Sequence, residues 1–237
     1  MCGRFAYFGA GGFGYEALGL PQPPVWTSYN IAPTQTVLAL VYDLARRRFR
    51  WAFLRWGLIP SWSTRQQTTF PLINARAEGI ADKPSFRGPF RSKRCVVAAS
   101  GFYEWQQRKD GKQPFFVRAA GCGSLALAGL WDHWQGPGGE VVESCTLITT
   151  GANRLVQTLH DRMPVILSGQ DCSRWLDPHA SRANLLALLR PCPDNWLEAY
   201  PVSKRVNNPG VNDPACLAPL LKEDIPAAAG EGEEGEF

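Results

Sequence analysis

The sequence predicts a single α+β domain, mainly antiparallel β-sheets forming an open barrel-like core with surrounding short helices. Three observations carry that expectation. Strand-like segments outnumber helical ones along the 237 residues. Most neighbouring strands are joined by short turns rich in Gly, Asp and Pro, which read as hairpins. No internal repeat is evident, and a hydrophobic content of 45% with 19% charged residues suits an ordinary globular core.

Taken in order, residues 4–8 read as a short strand. The stretch Gly9 to Gly14 matches G-x-G-x-x-G. No acid stands about 20 residues on and no βαβ unit follows, so it reads as a surface loop and not a dinucleotide site. Val37 to Tyr42 and Arg50 to Trp56 read as a hairpin with Arg46, Arg47, Arg48 and Arg50 at its tip, either solvated or facing phosphate. A loop from Trp56 to Trp62 follows, broken by Gly57 and Pro60, and leads to Pro71–Glu78.

Residues 86–94 interleave Phe86 and Phe90 with Arg87, Arg91, Lys93 and Arg94. That pattern suits stacking and phosphate contact with single-stranded nucleic acid. A short helix with both phenylalanines in the core is the favoured alternative. Cys95 to Ser100 is a buried strand, Gly101 to Trp105 follows, and Asp110-Gly111 turns the chain into a returning strand from Gln113 to Arg118. Leu125 to Trp134 and Val141 to Thr150 form a further hairpin around Gly136–Gly139. Asn153 to His160 reads as a short helix, Val165 to Leu167 as a strand, and Ser168 to Ser181 mostly as turn and loop held by Trp175 and Leu176. A helix from Arg182 to Leu189 completes the elements. Residues 1–221 are expected to form the domain and 222–237 an acidic disordered tail.

Charge is uneven. The last sixteen residues carry a net of −5, so the rest of the chain carries +9 out of a total of +4. A basic body suits a polyanion partner or a solvated surface. The seven cysteines are scattered without a C-x-x-C pair, which argues against a disulfide framework and a zinc site. No metal and no cofactor are expected. No apolar run is long enough to span a bilayer. No secretory signal is visible, so a cytoplasmic location, nucleoid-associated if bacterial, is the expectation.

The residue that organises the chemistry is Cys2. With Met1 removed, its α-amine and thiol form a 1,2-aminothiol. The amine condenses with an aldehyde to an imine, and the thiol closes a thiazolidine. Closure is intramolecular and gains from effective molarities as high as about 10⁵ M. Three further polar residues stand in apolar or structured contexts. Glu104, among Phe102, Tyr103 and Trp105, is placed for desolvation and a raised pKa, unless it faces outward. His160, beside Asp161 and Arg162, is an acid–base group or a structural histidine. Asn74 orients a hydroxyl or caps a turn. Arg4, Arg76 and Arg162 each follow one of these sites by two positions, the spacing that returns to one face of a strand. Arginines so placed suit phosphodiester contacts, or are independent surface charges.

The ordered set MCGRF, YNIAPT, WGLIPSW, NARAE, GFYEW, TTGAN and LHDRMPVIL resembles the SOS-response-associated peptidase family, also called abasic-site processing proteins. The resemblance covers about residues 1–215. It implies shielding of abasic sites in single-stranded DNA through a covalent thiazolidine between Cys2 and the ring-opened sugar, with autopeptidase removal of Met1 and an AP-lyase side reaction. It assigns Asn74 to positioning the open sugar, Glu104 to acid–base chemistry, and His160 to proton transfer, including reversal. It also assigns Arg4, Arg76 and Arg162 to phosphates, and Trp56 and Trp62 to a DNA-facing aromatic loop. A monomer without an obligatory protein partner is expected. Competing readings are a cysteine peptidase acting on itself or on proteins through Cys2 with His160 as base, a non-covalent single-strand binding module, and a lysine-based lyase. The last is disfavoured because no lysine lies in these motifs.

Overall fold

Five strands close on one another to make the core. The computed structural model describes residues 2–9, 15, 19–20, 22–43, 46–66, 71–109, 111–121 and 123–220. Met1 and its removal, the glycine-rich stretch beyond Gly9, Asp110 of the expected turn and the acidic tail lie outside the described residues.

The chain opens with β1 (Phe5–Tyr7) and β2 (Ser28–Ile31), then the hairpin β3 (Thr36–Asp43) and β4 (Arg48–Trp56). On β4, Ala52, Leu54 and Trp56 are buried while Phe53 between them is exposed, the period of two that one covered face demands. The arginine tip turns on its own acids: Arg46 pairs with Asp43, and Arg50 with Asp43 and Glu143. Next come β5 (Asn74–Arg76), α1 (Pro84–Ser92), β6 (Arg94–Ala99), β7 (Gly101–Arg108) and β8 (Gly111–Ala119). The long hairpin β9 (Leu125–Gln135) and β10 (Val141–Gly151) follows. Then come α2 (Arg154–Gln157), β11 (Arg162–Pro164), β12 (Ile166–Leu167), α3 (Gly169–Leu176), α4 (Arg182–Ala187) and β13 (Leu197–Pro201).

The barrel runs β10–β4–β3–β6–β9 and shuts where β9 pairs with β10. Closure satisfies backbone groups that an open edge would leave exposed. Most of the pairings are antiparallel; β10 meets β4 and β5 in parallel. A second sheet, in the order β13–β8–β7–β1–β2, carries the chain's first strand in its interior. The chain crosses from barrel to second sheet at Ser100, between β6 and β7. There the Ser100 amide donates to Ala6 O at 2.7 Å and its hydroxyl to Phe8 O at 3.0 Å. The next residue must be glycine: a Cβ on Gly101 would lie 2.6 Å from Val117 O.

The helices are short and sit outside the barrel. α1 buries Phe86 and Phe90, one turn apart, and exposes Arg87 and Arg91, in line with the amphipathic reading. The other two basic residues of that stretch are structural. Arg94 is buried and donates to the carbonyls of Trp175, Phe90, Arg91 and Asp177, and Lys93 pairs with Asp132.

The loop expected over Ser168–Ser181 is corrected to a helix in its first half. Ser168 Oγ accepts the Asp171 amide at 3.1 Å as an N-cap, and Cys172, Trp175 and Leu176 form the buried stripe of α3. Trp175 Nε1 reaches Cys95 O at 3.0 Å and pins α3 to the barrel. The six described cysteines are free and buried. Among the described residues, no helix is long and apolar enough to cross a membrane.

Candidate active site

Cys2 lies just ahead of β1, which pairs with β7 through Phe5↔Phe102 and Ala6↔Gly101. The Tyr103 amide donates to Arg4 O at 2.9 Å, so the same register continues backwards and sets Glu104 across from Gly3. This long-range antiparallel pairing therefore delivers the chain's first residues to the strand bearing Glu104. Cys2 is fully buried in the core. Burial first, and the neighbouring Glu104 carboxylate second, push its thiol well above the ordinary range, so it is held as the neutral thiol.

Asn74 opens β5 on the other side. Its Nδ2 donates to the Cys2 carbonyl at 2.8 Å. Its Oδ1 is buried with no hydrogen-bond partner among the described residues, although an unpaired buried acceptor ordinarily costs about 1–3 kcal/mol. Asn74 is thus a strand residue that ties down the chain end, and caps no turn. β5 owes its place to β10, with Leu147↔Asn74 and Thr149↔Arg76 in parallel register. That register and the two-residue period put Asn74, Arg76 and Thr149 on one face. Thr149 Oγ1 is likewise buried and unpaired. Thr149 was missed by residue-by-residue reading, although it begins the TTGAN motif.

Glu104 is only 2% exposed. Burial raises its pKa, and Asp161 adds to the rise. His160 ends the turn after α2, its amide donating to Val156 O at 2.8 Å. Gln106, one β-period after Glu104, fastens this turn to β7 through Nε2 to Thr158 O at 3.1 Å. Burial lowers the His160 pKa and favours neutral imidazole. Its Nδ1 has two suitors. The Arg162 amide donates to it at 3.0 Å, which requires an unprotonated Nδ1, while Asp161 Oδ1 stands 2.7 Å away, which suits a protonated one. The Asp161 side chain is 83% exposed and water-screened, so the amide bond decides.

Cys2, Asn74 and Glu104 thus converge directly, and the His160 turn is held against the same strand. The arginines divide. Arg76 is exposed beside Asn74. Arg4 is half-buried and spends Nη1 on Asn30 Oδ1 at 2.9 Å and Val206 O at 2.8 Å, a structural tie absent from the sequence reading. The Arg162 side chain is 14% exposed and gripped end-on by Glu78, at 2.7 and 2.8 Å, with a further bond to Thr149 O at 2.7 Å.

The two tryptophans part company. Trp56, expected on a DNA-facing loop, is corrected to a core residue. It is 0% exposed, its ring meets Phe5 edge-on at 5.0 Å, and Nε1 donates to Ile73 O. It ends β4, whose even-numbered positions from Ala52 on face inward. Trp62 is 65% exposed and available for stacking. Among the described residues, no group of three or more His, Cys, Asp or Glu side chains is placed to hold a metal ion.

Residues 1–209 match the family described as SOS response associated peptidase (SRAP). The chain is 41% identical over 224 residues to abasic site processing protein YoqW of Bacillus subtilis (strain 168), covering 92% of this chain and 99% of that one. It is 36% identical over 192 residues to abasic site processing protein HMCES of Gallus gallus, covering 70% of this chain and 56% of the relative. A protein from Bacteroides thetaiotaomicron, solved by X-ray crystallography, superposes with a TM-score of 0.73 at 28% identity over 81% of this chain and 85% of that one. On this likeness, along nearly the whole barrel and site, the chain belongs to the SOS response associated peptidase (SRAP) family.

Proposed function

We propose that the protein processes abasic sites in single-stranded DNA by covalent capture on Cys2, after Met1 is removed by the protein's own peptidase action. The observation that carries this reading is the 2.8 Å bond from Asn74 to the Cys2 carbonyl, beside a buried Glu104 that feels the Cys2 thiol. The names of the relatives point the same way.

The protonated Glu104 carboxyl gives its proton to the ring oxygen as the bond from that oxygen to the anomeric carbon breaks, and the anomeric hydroxyl loses its own proton to solvent as it becomes the aldehyde carbonyl. The Cys2 amine attacks the aldehyde carbon, forming the imine and releasing one water. The Cys2 thiol then adds across the C=N bond: a sulfur–carbon bond forms and the thiol proton ends on nitrogen. The thiazolidine removes the electrophile and leaves the lesion shielded. Asn74 Oδ1 accepts a sugar hydroxyl, which satisfies the unpaired acceptor. His160 moves protons during closure and reversal. Elimination of the 3′ phosphate from the imine, before the thiol closes the ring, is the lyase side reaction. Arg76 meets phosphate and Trp62 stacks on a base.

The neutral thiol fits this order of events. An amine-first attack on the aldehyde needs no thiolate, so burial of the thiol does not oppose it. Intact mass tests the reading. Protein incubated with an abasic single-stranded oligonucleotide gains the oligonucleotide mass less one water, and Cys2→Ala gains nothing. Retention of Met1 with no adduct overturns it.

A further inference from the structure

We propose that Glu78 is a positioning residue that, through Arg162, fixes which nitrogen of His160 carries the proton. This rests on the role given to His160 above. Glu78 closes the NARAE motif, and nothing in the capture chemistry uses it. Yet its carboxylate takes both ends of the Arg162 guanidinium, at 2.7 and 2.8 Å. This fork-on-fork geometry is among the stronger charge-assisted contacts. Arg162 Nη2 also reaches Thr149 O at 2.7 Å, so the side chain is clamped between the turn after β5 and the strand β10.

The clamp holds the first residue of a strand only three residues long. The main-chain amide of that residue leaves the sheet ladder and donates to His160 Nδ1 at 3.0 Å. An Nδ1 that accepts leaves Nε2 as the nitrogen bearing hydrogen in the neutral ring. Asp161 stands 2.7 Å from the same Nδ1, ready to draw the proton there. The tautomer therefore depends on Arg162 staying where Glu78 puts it. Without the clamp, the Arg162 end of β11 loosens, Asp161 becomes the main partner of Nδ1, and the proton moves to the wrong side of the ring.

Nitrogen NMR of the full chain with labelled histidine reads the tautomer without any DNA. The wild type should show an unprotonated Nδ1 and a protonated Nε2. Glu78→Ala should shift the pattern towards a protonated Nδ1, and adding Asp161→Asn should restore it. Glu78→Gln, which keeps one acceptor for Arg162 and the fold, should lie between. In capture kinetics, Glu78→Ala should slow adduct formation by up to the factor that His160→Ala costs, of the order of 10²-fold for a general acid or base. In a His160→Ala background it should cost nothing further. Identical His160 signals in the wild type and both Glu78 variants, or losses that multiply with His160→Ala, overturn the proposal. Failure of the wild type to form any adduct would instead strike the function proposed above and leave the NMR comparison standing.

Discussion

Asn74 Nδ2 donates a 2.8 Å hydrogen bond to the main-chain carbonyl of Cys2, joining β5 to the start of the chain across 72 residues of sequence. In the proposed capture, the bond fixes the residue whose amine and thiol must both reach one carbon. Asn74→Ala removes it together with the buried Oδ1. The stability cost should be small, about 1 kcal/mol, because an unpaired acceptor leaves with the bond. The kinetic cost should be large, of the order of 10²-fold in single-turnover adduct formation, as a misplaced nucleophile predicts. Equal adduct rates in Asn74→Ala and wild type would remove Asn74 from the site.

Glu104 predicts opposite effects on stability and capture. Its folded-state pKa is raised, so the stability contributed by its proton is complete below the unfolded value of 4.5 and lost as pH rises through the folded one. Glu104→Gln is neutral throughout. It should therefore melt higher than wild type near neutral pH, with the gap closing below about pH 4.5. The same variant should form adduct more slowly. In the wild type, adduct rate against pH should be a bell, because capture needs both a neutral α-amine and a protonated Glu104. A Glu104→Gln profile that keeps both limbs would remove Glu104 from the profile.

The site was more legible in the sequence than the surfaces around it. The chemistry proposed for Cys2 follows from its position, and the burial of Glu104 from the aromatic residues beside it. The two-residue step from Asn74 to Arg76 does return to one face of β5, because local alternation needs no tertiary knowledge. What stayed hidden depends on distant partners. β5 is a three-residue strand made by parallel pairing with β10, and it has no local signature. Arg162 looks like a free cation until the fold brings Glu78 to it. Trp56 and Trp62 read alike in one loop, and only the barrel tells inside from outside. α3 is different: its Cys172, Trp175 and Leu176 spacing and its Ser168 cap were present to be read.

Those tryptophans give a paired test. Trp56→Ala empties a core position and removes one of the two hydrogen bonds to Ile73 O, and should cost about 3–5 kcal/mol in unfolding experiments. Trp62→Ala should leave the melting temperature unchanged and weaken single-strand binding by about 1–3 kcal/mol. Unaltered binding in Trp62→Ala would place the DNA on another face.

Arg76 is the exposed arginine on the Asn74 face, whereas Arg162 is engaged by Glu78. Each phosphate contact to a single strand contributes about −0.7 to the slope of log K against log salt. Arg76→Ala should flatten that slope by about this amount for strands with and without the lesion alike. A slope unchanged by Arg76→Ala would deny the residue a phosphate.

Glu78 should report its pairing through acid stability. The Arg162 hydrogen bonds hold its carboxyl down to about 2, against 4.5 for the free group. A depressed pKa contributes stability that is present above the unfolded value and is lost as pH falls through the folded one. Wild type should therefore melt higher than Glu78→Gln near pH 7, and the gap should shrink as the pH is lowered from about 4.5 towards about 2. The Glu78 side chain is 62% exposed, so solvent screening keeps the gap modest. Its sign is the test: a gap that widens on acidification would mean that Glu78 is not paired as an ion with Arg162, and the clamp on His160 would go with it.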